Sequence, residues 1–247
     1  MECLLIGSRH DTTLPALLLE DADERWRCRL YGQPSPPPDV LLLFPCDSAR
    51  RLAAGLEASP PPHAPWMIAC GRMDVCCDAA VSPDDLAVLP ALVDHLEQTT
   101  LPRLCLARLP RTSELAAQAL HSLEIRPTLT AWRFLPFMTA VAALHPAALS
   151  DLSHRLYVLT GAQCGMRPAA VERSLRLAVE SAWSRSRLSA LEEVFGQSID
   201  PDRGKPTNLE FLCRMGEAVQ QMAARETLRF PSCCIPDRLS TVFPAFC

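Results

Sequence analysis

Few side chains in this sequence are spaced in a way that suits chemistry, and the best placed are arginines. Pro168 to Arg187 reads PAAVERSLRLAVESAWSRSR. Val171, Leu175, Ala178, Val179 and Ala182 recur at helical spacing and form one apolar face. Arg173, Arg176 and Glu180 project from the opposite face, with Glu172 on its flank. A short helix over 155–164 precedes this segment, and Gly165–Arg167 form a tight turn between the two. Pro168 suits a first helical position, where a missing N–H leaves nothing unpaired. Short helix, glycine turn and longer helix with outward arginines is the logic of a helix-turn-helix. The second helix of such a unit lies in the major groove, where arginine makes two hydrogen bonds to a guanine edge and glutamate accepts from a cytosine amine. A plain solvated surface also explains these residues, because Glu172 and Arg176 are spaced as an i,i+4 ion pair. Spacing alone leaves both readings open.

Other chemistry is poorly supported. The 12 cysteines are Cys3, Cys28, Cys46, Cys70, Cys76, Cys77, Cys105, Cys164, Cys213, Cys233, Cys234 and Cys247. None makes a C-x-x-C pair, and the adjacent pairs Cys76–Cys77 and Cys233–Cys234 do not match zinc-ligand spacing. They are expected to be reduced thiols that pack as small apolar residues. Cys233, Cys234 and Cys247 lie together in a C-terminal tail with three prolines and no period. The six histidines are scattered, and there is no Gly-rich phosphate loop or nucleophile elbow. No catalytic residue, metal or cofactor is expected, and the chain reads as a non-enzyme.

The 247 residues suffice for one large or two small domains, at roughly 100–200 residues each. Asp+Glu at 28 outnumber Lys+Arg at 24, the net charge is −4 and the pI is near 5.9, which excludes a polybasic nucleic-acid tail. Hydrophobic residues at 49% and charged residues at 21% exclude a wholly disordered chain. There is no run of about 18 apolar residues, so no membrane span is expected. MECLLIGSRH lacks a basic n-region and a small-residue cleavage site. The expected location is the cytoplasm.

Two kinds of element must position the arginines. Residues 3–8, 25–32, 40–44, 66–70 and 76–81 read as strands, and 13–24, 48–56 and 84–97 as helices, the last interrupted by Pro90. Strands alternating with helices imply a doubly wound parallel sheet. The proline run 34–38 breaks this region, and 98–112, with two prolines and no period, reads as a linker or boundary strand. After Ser113 the pattern is helical: 113–125, 129–144 with a kink at Pro136, 151–164, 168–186, 187–195 and a last helix to about 226. Thr207–Glu210 has capping-box form and opens the last one. The expected organisation is an α/β domain at 1–97, a linker at 98–112, an all-α bundle at 113–227 and a tail at 228–247.

VERSLRLAVESAWSR (171–185), LEEVFG (191–196) and KPTNLEF (205–211) closely resemble the C-terminal effector domain of the stage-zero sporulation response regulators. ALHSLEIRPTLTAWRFL (119–135) is similar to the start of that domain. The resemblance implies a six-helix bundle that binds a short promoter box in double-stranded DNA. It puts Glu172, Arg173 and Arg176 at base-reading positions, with Arg167 and Lys205 as further DNA contacts. Lys205–Asn208 match a signature loop, in which Thr207 reads as a helix cap; Trp183 reads as core. The chain departs from the family at Ala170, where an arginine is usual, and at Leu177, where a histidine is. Fewer cations imply fewer phosphate contacts and a shallower salt dependence.

The family's N-terminal half is a phosphoacceptor receiver, and PDVLLLF (38–44) resembles its third strand. On that resemblance the phosphoacceptor position is Phe44. The magnesium-binding acids fall at Gly7–Ser8–Arg9, the hydroxyl residue at Ala69 and the lysine at Ser82. Phosphoryl transfer needs an aspartate nucleophile, an acidic magnesium site and a cation. Asp47, three residues beyond Phe44, is the substitute nucleophile to consider. The expectation is a shortened pseudo-receiver, not controlled by aspartyl phosphorylation, that docks a second copy or another regulator. The competing expectation is an interaction module or decoy that binds the true regulator or its phosphorelay partners without reading DNA.

Overall fold

Continuous apolar runs became parallel strands, as strands covered on both faces should. The structure, a computed structural model, describes residues 2–7, 12, 13, 15, 16, 18, 19, 27–30, 38–58, 64–196 and 204–229. Strands β1 (Glu2–Ile6), β2 (Arg27–Leu30), β3 (Val40–Leu43), β4 (Trp66–Cys70) and β5 (Ala79–Val81) form one sheet. Its order is β2-β1-β3-β4-β5 with every neighbouring pair parallel. This is a doubly wound order of the flavodoxin type. On one face Leu5, Val40, Leu42, Trp66 and Ile68 pack with Leu89, Val93 and Leu96 of helix α2 (Leu89–Thr99). Helix α1 (Asp47–Ala58) buries Ala49, Leu52, Ala53 and Leu56.

In such sheets ligands sit at the carboxyl ends of the strands, where the order reverses. Here that place, between β1 and β3, is filled by an apolar side chain. Phe44 is 4% exposed, and its N–H donates to the Ile6 carbonyl at 2.9 Å. A Cβ on Gly7 would come within 2.7 Å of the Phe44 Cβ, so Gly7 accommodates the ring. Ala69 is buried at the end of β4, and the Ser82 hydroxyl accepts from the Asp84 N–H at 3.4 Å. Asp47 is a first-turn residue of α1; its side chain is 85% exposed and pairs with Arg50 at 3.1 Å. Ser8, Arg9 and residues 34–37 lie outside the described residues.

The cysteines of this region range from buried to exposed. Cys3 and Cys28 are partners in the β1–β2 register, and Cys3 is fully buried. Burial, reinforced by the neighbouring Cys77, pushes the Cys70 thiol up to about 12. Burial, with Asp78 alongside, pushes Cys77 up to about 11. Cys76 is exposed, and Cys233, Cys234 and Cys247 lie outside the described residues.

The segment 98–112 is largely helical, not a strand, although the division between the two units falls within it. Arg103–Ser122 is one helix, α3, and it contains Pro110. Pro102 precedes it, where proline is harmless, and its carbonyl accepts the Leu106 N–H at 2.9 Å. Pro110 removes a single main-chain donor, and the Thr112 hydroxyl donates to the Arg108 carbonyl at 3.0 Å beside it. Pro90 likewise does not interrupt a helix. It lies in the first turn of α2, after a separate 3-10 turn, Pro83–Val88. The chain divides into two compact units between Leu106 and Ala107, inside α3.

Asp78 holds the start of α3. One carboxylate oxygen accepts from the Arg103 N–H at 2.5 Å and the other from the Met67 N–H at 2.7 Å. The Arg103 guanidinium also pairs with Glu57. Burial raises the Asp78 pKa against the opposing pull of its two N–H donors. A raised carboxyl pKa means that the folded state holds the proton more tightly than the unfolded one. The stability contributed by Asp78 is therefore complete below the ordinary carboxylate pKa and declines as pH rises through the raised value. Asp78→Asn removes one of two acceptors and should cost about 1–3 kcal/mol. Urea unfolding across the acid range should also show the Asp78 part of the pH slope gone; an unchanged slope would count against this account.

The second unit is helical, as the sequence predicts. Its described helices are the rest of α3, α4 (Leu135–Leu144), α5 (Tyr157–Cys164), α6 (Pro168–Arg185), α7 (Leu188–Phe195) and α8 (Asn208–Arg229). Pro136 opens α4 rather than kinking it, after a 3-10 turn at Thr130–Arg133. Helix α4 is buried on nearly every side, and α8 crosses it closely. A Cβ on Gly216 of α8 would lie 3.0 Å from the Ala142 backbone. The buried Arg155 donates to the Ala147 carbonyl and the Ser150 hydroxyl, both at 2.9 Å. No helix of the described residues is long and apolar enough to cross a membrane.

Candidate nucleic-acid interface

Helices α5 and α6 and the turn between them make a tight unit built on two glycines. Gly165 ends α5 in the left-handed region, at φ 66° and ψ 34°, and its N–H returns to the Gly161 carbonyl. The Met166 N–H donates to the same carbonyl at 2.8 Å. Gly161 has no space for a side chain: a Cβ there would sit 2.5 Å from the Met166 carbonyl oxygen. Gly165 has open space, so its need is conformational. Arg167 is extended at the cap of α6, and its carbonyl accepts from Ala170 and Val171 at 2.9 and 3.1 Å. Pro168 then starts the helix, as predicted.

The apolar face of α6 is the expected one: Val171, Leu175, Ala178, Val179 and Ala182 are all buried. Trp183 is half-buried and meets Phe195 edge-on, with ring centroids 5.2 Å apart. Phe195 in turn lies 5.8 Å from Phe211 of α8.

The outer side of α6 is split between two flanks. On one, Arg176 pairs with Glu172 at 2.7 Å and Glu180 pairs with Lys205 at 2.5 Å. These residues border a groove of about 480 Å3 closed on the other side by Lys205–Leu209. The Lys205 hydrogen bond and charge hold the Glu180 carboxyl below the usual carboxylate range. Toward the other, Arg173 near the middle of the outer face is exposed and has no ion-pair partner among the described residues. Arg167 is exposed as well. The structure thus brings Glu172, Arg176 and Lys205 to one groove and sets Arg173 outside it.

The loop before α8 is pinned at three points. Thr207 and Glu210 form the reciprocal capping box that their spacing predicts: the Thr207 N–H donates to Glu210 at 2.7 Å, and the Glu210 N–H to the Thr207 hydroxyl at 3.2 Å. Asn208 donates to the Tyr157 hydroxyl at 3.1 Å and to the Glu172 carbonyl at 3.4 Å. Burial raises the Tyr157 hydroxyl pKa. Asn208 and Tyr157 lie 51 positions apart, and no sequence spacing signals such a contact. The Lys205–Glu180 pair was missed for the same reason.

Exposed ion pairs of this kind are weak and screened by salt. A phosphate can replace the carboxylate on Lys205 or Arg176 with little loss. A helix terminus with an adjacent arginine is in addition a favourable anion site. The arrangement can bind a polyanion and offers the unpaired guanidinium of Arg173 in the first half of a helix that fits a major groove. Residues 116–219, which span α5, the turn and α6, match the family described as Sporulation initiation factor Spo0A C terminal.

Proposed function

We infer that this chain, whose residues 116–219 match the Spo0A C-terminal family, is a cytoplasmic transcription regulator of sporulation that reads a promoter box in double-stranded DNA. The carrying observation is the helix-turn-helix geometry with Arg173 exposed and unpaired among the described residues. In this reading Arg173 contacts a base edge. Glu172 and Arg176 are further base readers once their mutual pair opens. Arg167 and Lys205 contact phosphates, and Lys205 exchanges the Glu180 carboxylate for one. Selection of random double-stranded sequences with the full chain tests this; a short recurring box is expected.

The N-terminal domain acts as a pseudo-receiver in the same reading, docking a second copy or another regulator. Its support is the apolar filling at the carboxyl end of the sheet by Phe44 and Gly7, where an aspartate and a magnesium site would be needed. Incubation with acetyl phosphate and magnesium should add no phosphoryl mass. A hydroxylamine-sensitive adduct on Asp47 would overturn this part.

A second reading is favoured by the pairing of Arg176 and Lys205 with carboxylates and by the net charge of −4. In it the chain is a decoy that binds the true regulator or its phosphorelay partners. Capture of such a regulator, together with no enriched DNA sequence, would select it.

A further inference from the structure

We propose that Leu177 is a specificity-determining residue that contacts the 5-methyl group of a thymine, one or two base pairs from a guanine held by Arg173. This inference rests on the DNA-reading function proposed above. Leu177 is 55% exposed, on the outer side of α6. Single exposed leucines are ordinary on protein surfaces, so exposure alone carries little. Its place carries more. At 100° per residue, Leu177 lies one turn beyond Arg173 on the same flank, and residues spaced i,i+4 have Cβ atoms about 5–6 Å apart.

The two flanks of α6 differ in what remains available. Glu172, Arg176 and Glu180 are occupied with one another and with the loop at Lys205. Ala170, Arg173 and Leu177 are exposed and neighbour one another at i,i+3, i,i+4 and i,i+7 spacing. Ala170 at the helix start adds no bulk, so the helix can approach a groove floor closely along this strip. The side chains long enough to reach base edges from the strip are Arg173 and Leu177. Leucine has no polar atom with which to bond a phosphate or a base heteroatom. The apolar feature displayed in the major groove is the thymine methyl. Stacked base pairs are about 3.4 Å apart, so contacts 5–6 Å apart along the helix fall one or two base pairs apart.

The test uses the full chain and the box it selects from random double-stranded DNA. Each thymine of that box is replaced in turn by uracil, which removes the methyl group alone. For the unaltered protein, uracil at one position near a guanine should weaken binding about fourfold, the effect of one buried methyl. Leu177→Ala should bind the thymine and uracil boxes equally. An exposed side chain makes loss of folding by that variant a negligible concern. Equal binding to every uracil box by the unaltered protein would overturn the inference, as would undiminished discrimination by Leu177→Ala. If no box is enriched at all, the DNA-reading function fails and this inference fails with it. An enriched box that tolerates uracil everywhere overturns only the inference.

Discussion

Arg173→Ala should weaken binding to the selected box by about 10- to 100-fold, the discrimination that one bidentate arginine–guanine contact supplies. Arg173 is exposed and has no ion pair among the described residues. Its removal therefore leaves no carboxylate uncompensated and should not disturb the fold. The loss should be concentrated on the box, because a base contact carries sequence information that a phosphate contact lacks. Arg176→Ala should cost less, since Arg176 must first leave Glu172 at 2.7 Å. Lys205→Ala should lower affinity for all sequences alike and reduce the salt slope by about one. Gel-shift titrations of the full chain at fixed salt separate these cases. Equal binding by Arg173→Ala and the unaltered protein would remove α6 from the role of reading helix.

Gly161→Ala should destabilise the helical unit by about 1–3 kcal/mol, as overpacking does, and should abolish specific binding. The added methyl would lie 2.5 Å from the Met166 carbonyl oxygen, a backbone atom that cannot swing aside. The turn must open, and α6 then tilts away from α5. Gly165→Ala makes the informative contrast. That position has open space, but its φ of 66° costs a residue with a side chain about 1–2 kcal/mol. Gly165→Ala should lose a similar amount of stability and keep its affinity, because the native turn remains the only packing available. Urea unfolding with gel shifts on both variants checks this. Full DNA binding by Gly161→Ala would show that the turn does not set the angle of α6.

Much of this was legible in the sequence, for definite reasons. Val40–Leu43 and Trp66–Cys70 are buried on both faces, so they read as continuous apolar runs. Helix α6 has one face in the core, so Val171, Leu175 and Val179 betray its period. Thr207 and Glu210 interact three residues apart, within reach of a local motif. The segment 98–112 misled because prolines usually break helices; at Pro102 and Pro110 the loss is confined to positions the helix tolerates. Asp78 at the start of α3 is 25 residues from Arg103, and Lys205 is 25 residues from Glu180. Contacts made by folding leave no spacing in the chain to read. The split of α6 into an occupied and an unoccupied flank depends on the loop at Lys205, so it too required the structure.

The cysteines beside β4 have a consequence for the chemical lifetime of the protein. Only a thiolate attacks oxidants, alkylating agents or disulfides. With Cys70 at about 12 and Cys77 at about 11, their nucleophilic fraction in neutral solution is minute. Burial that serves packing thus also acts as a chemical shield. The rate at which the buried Cys70 thiol of β4 reacts then becomes a clock for how often the sheet opens.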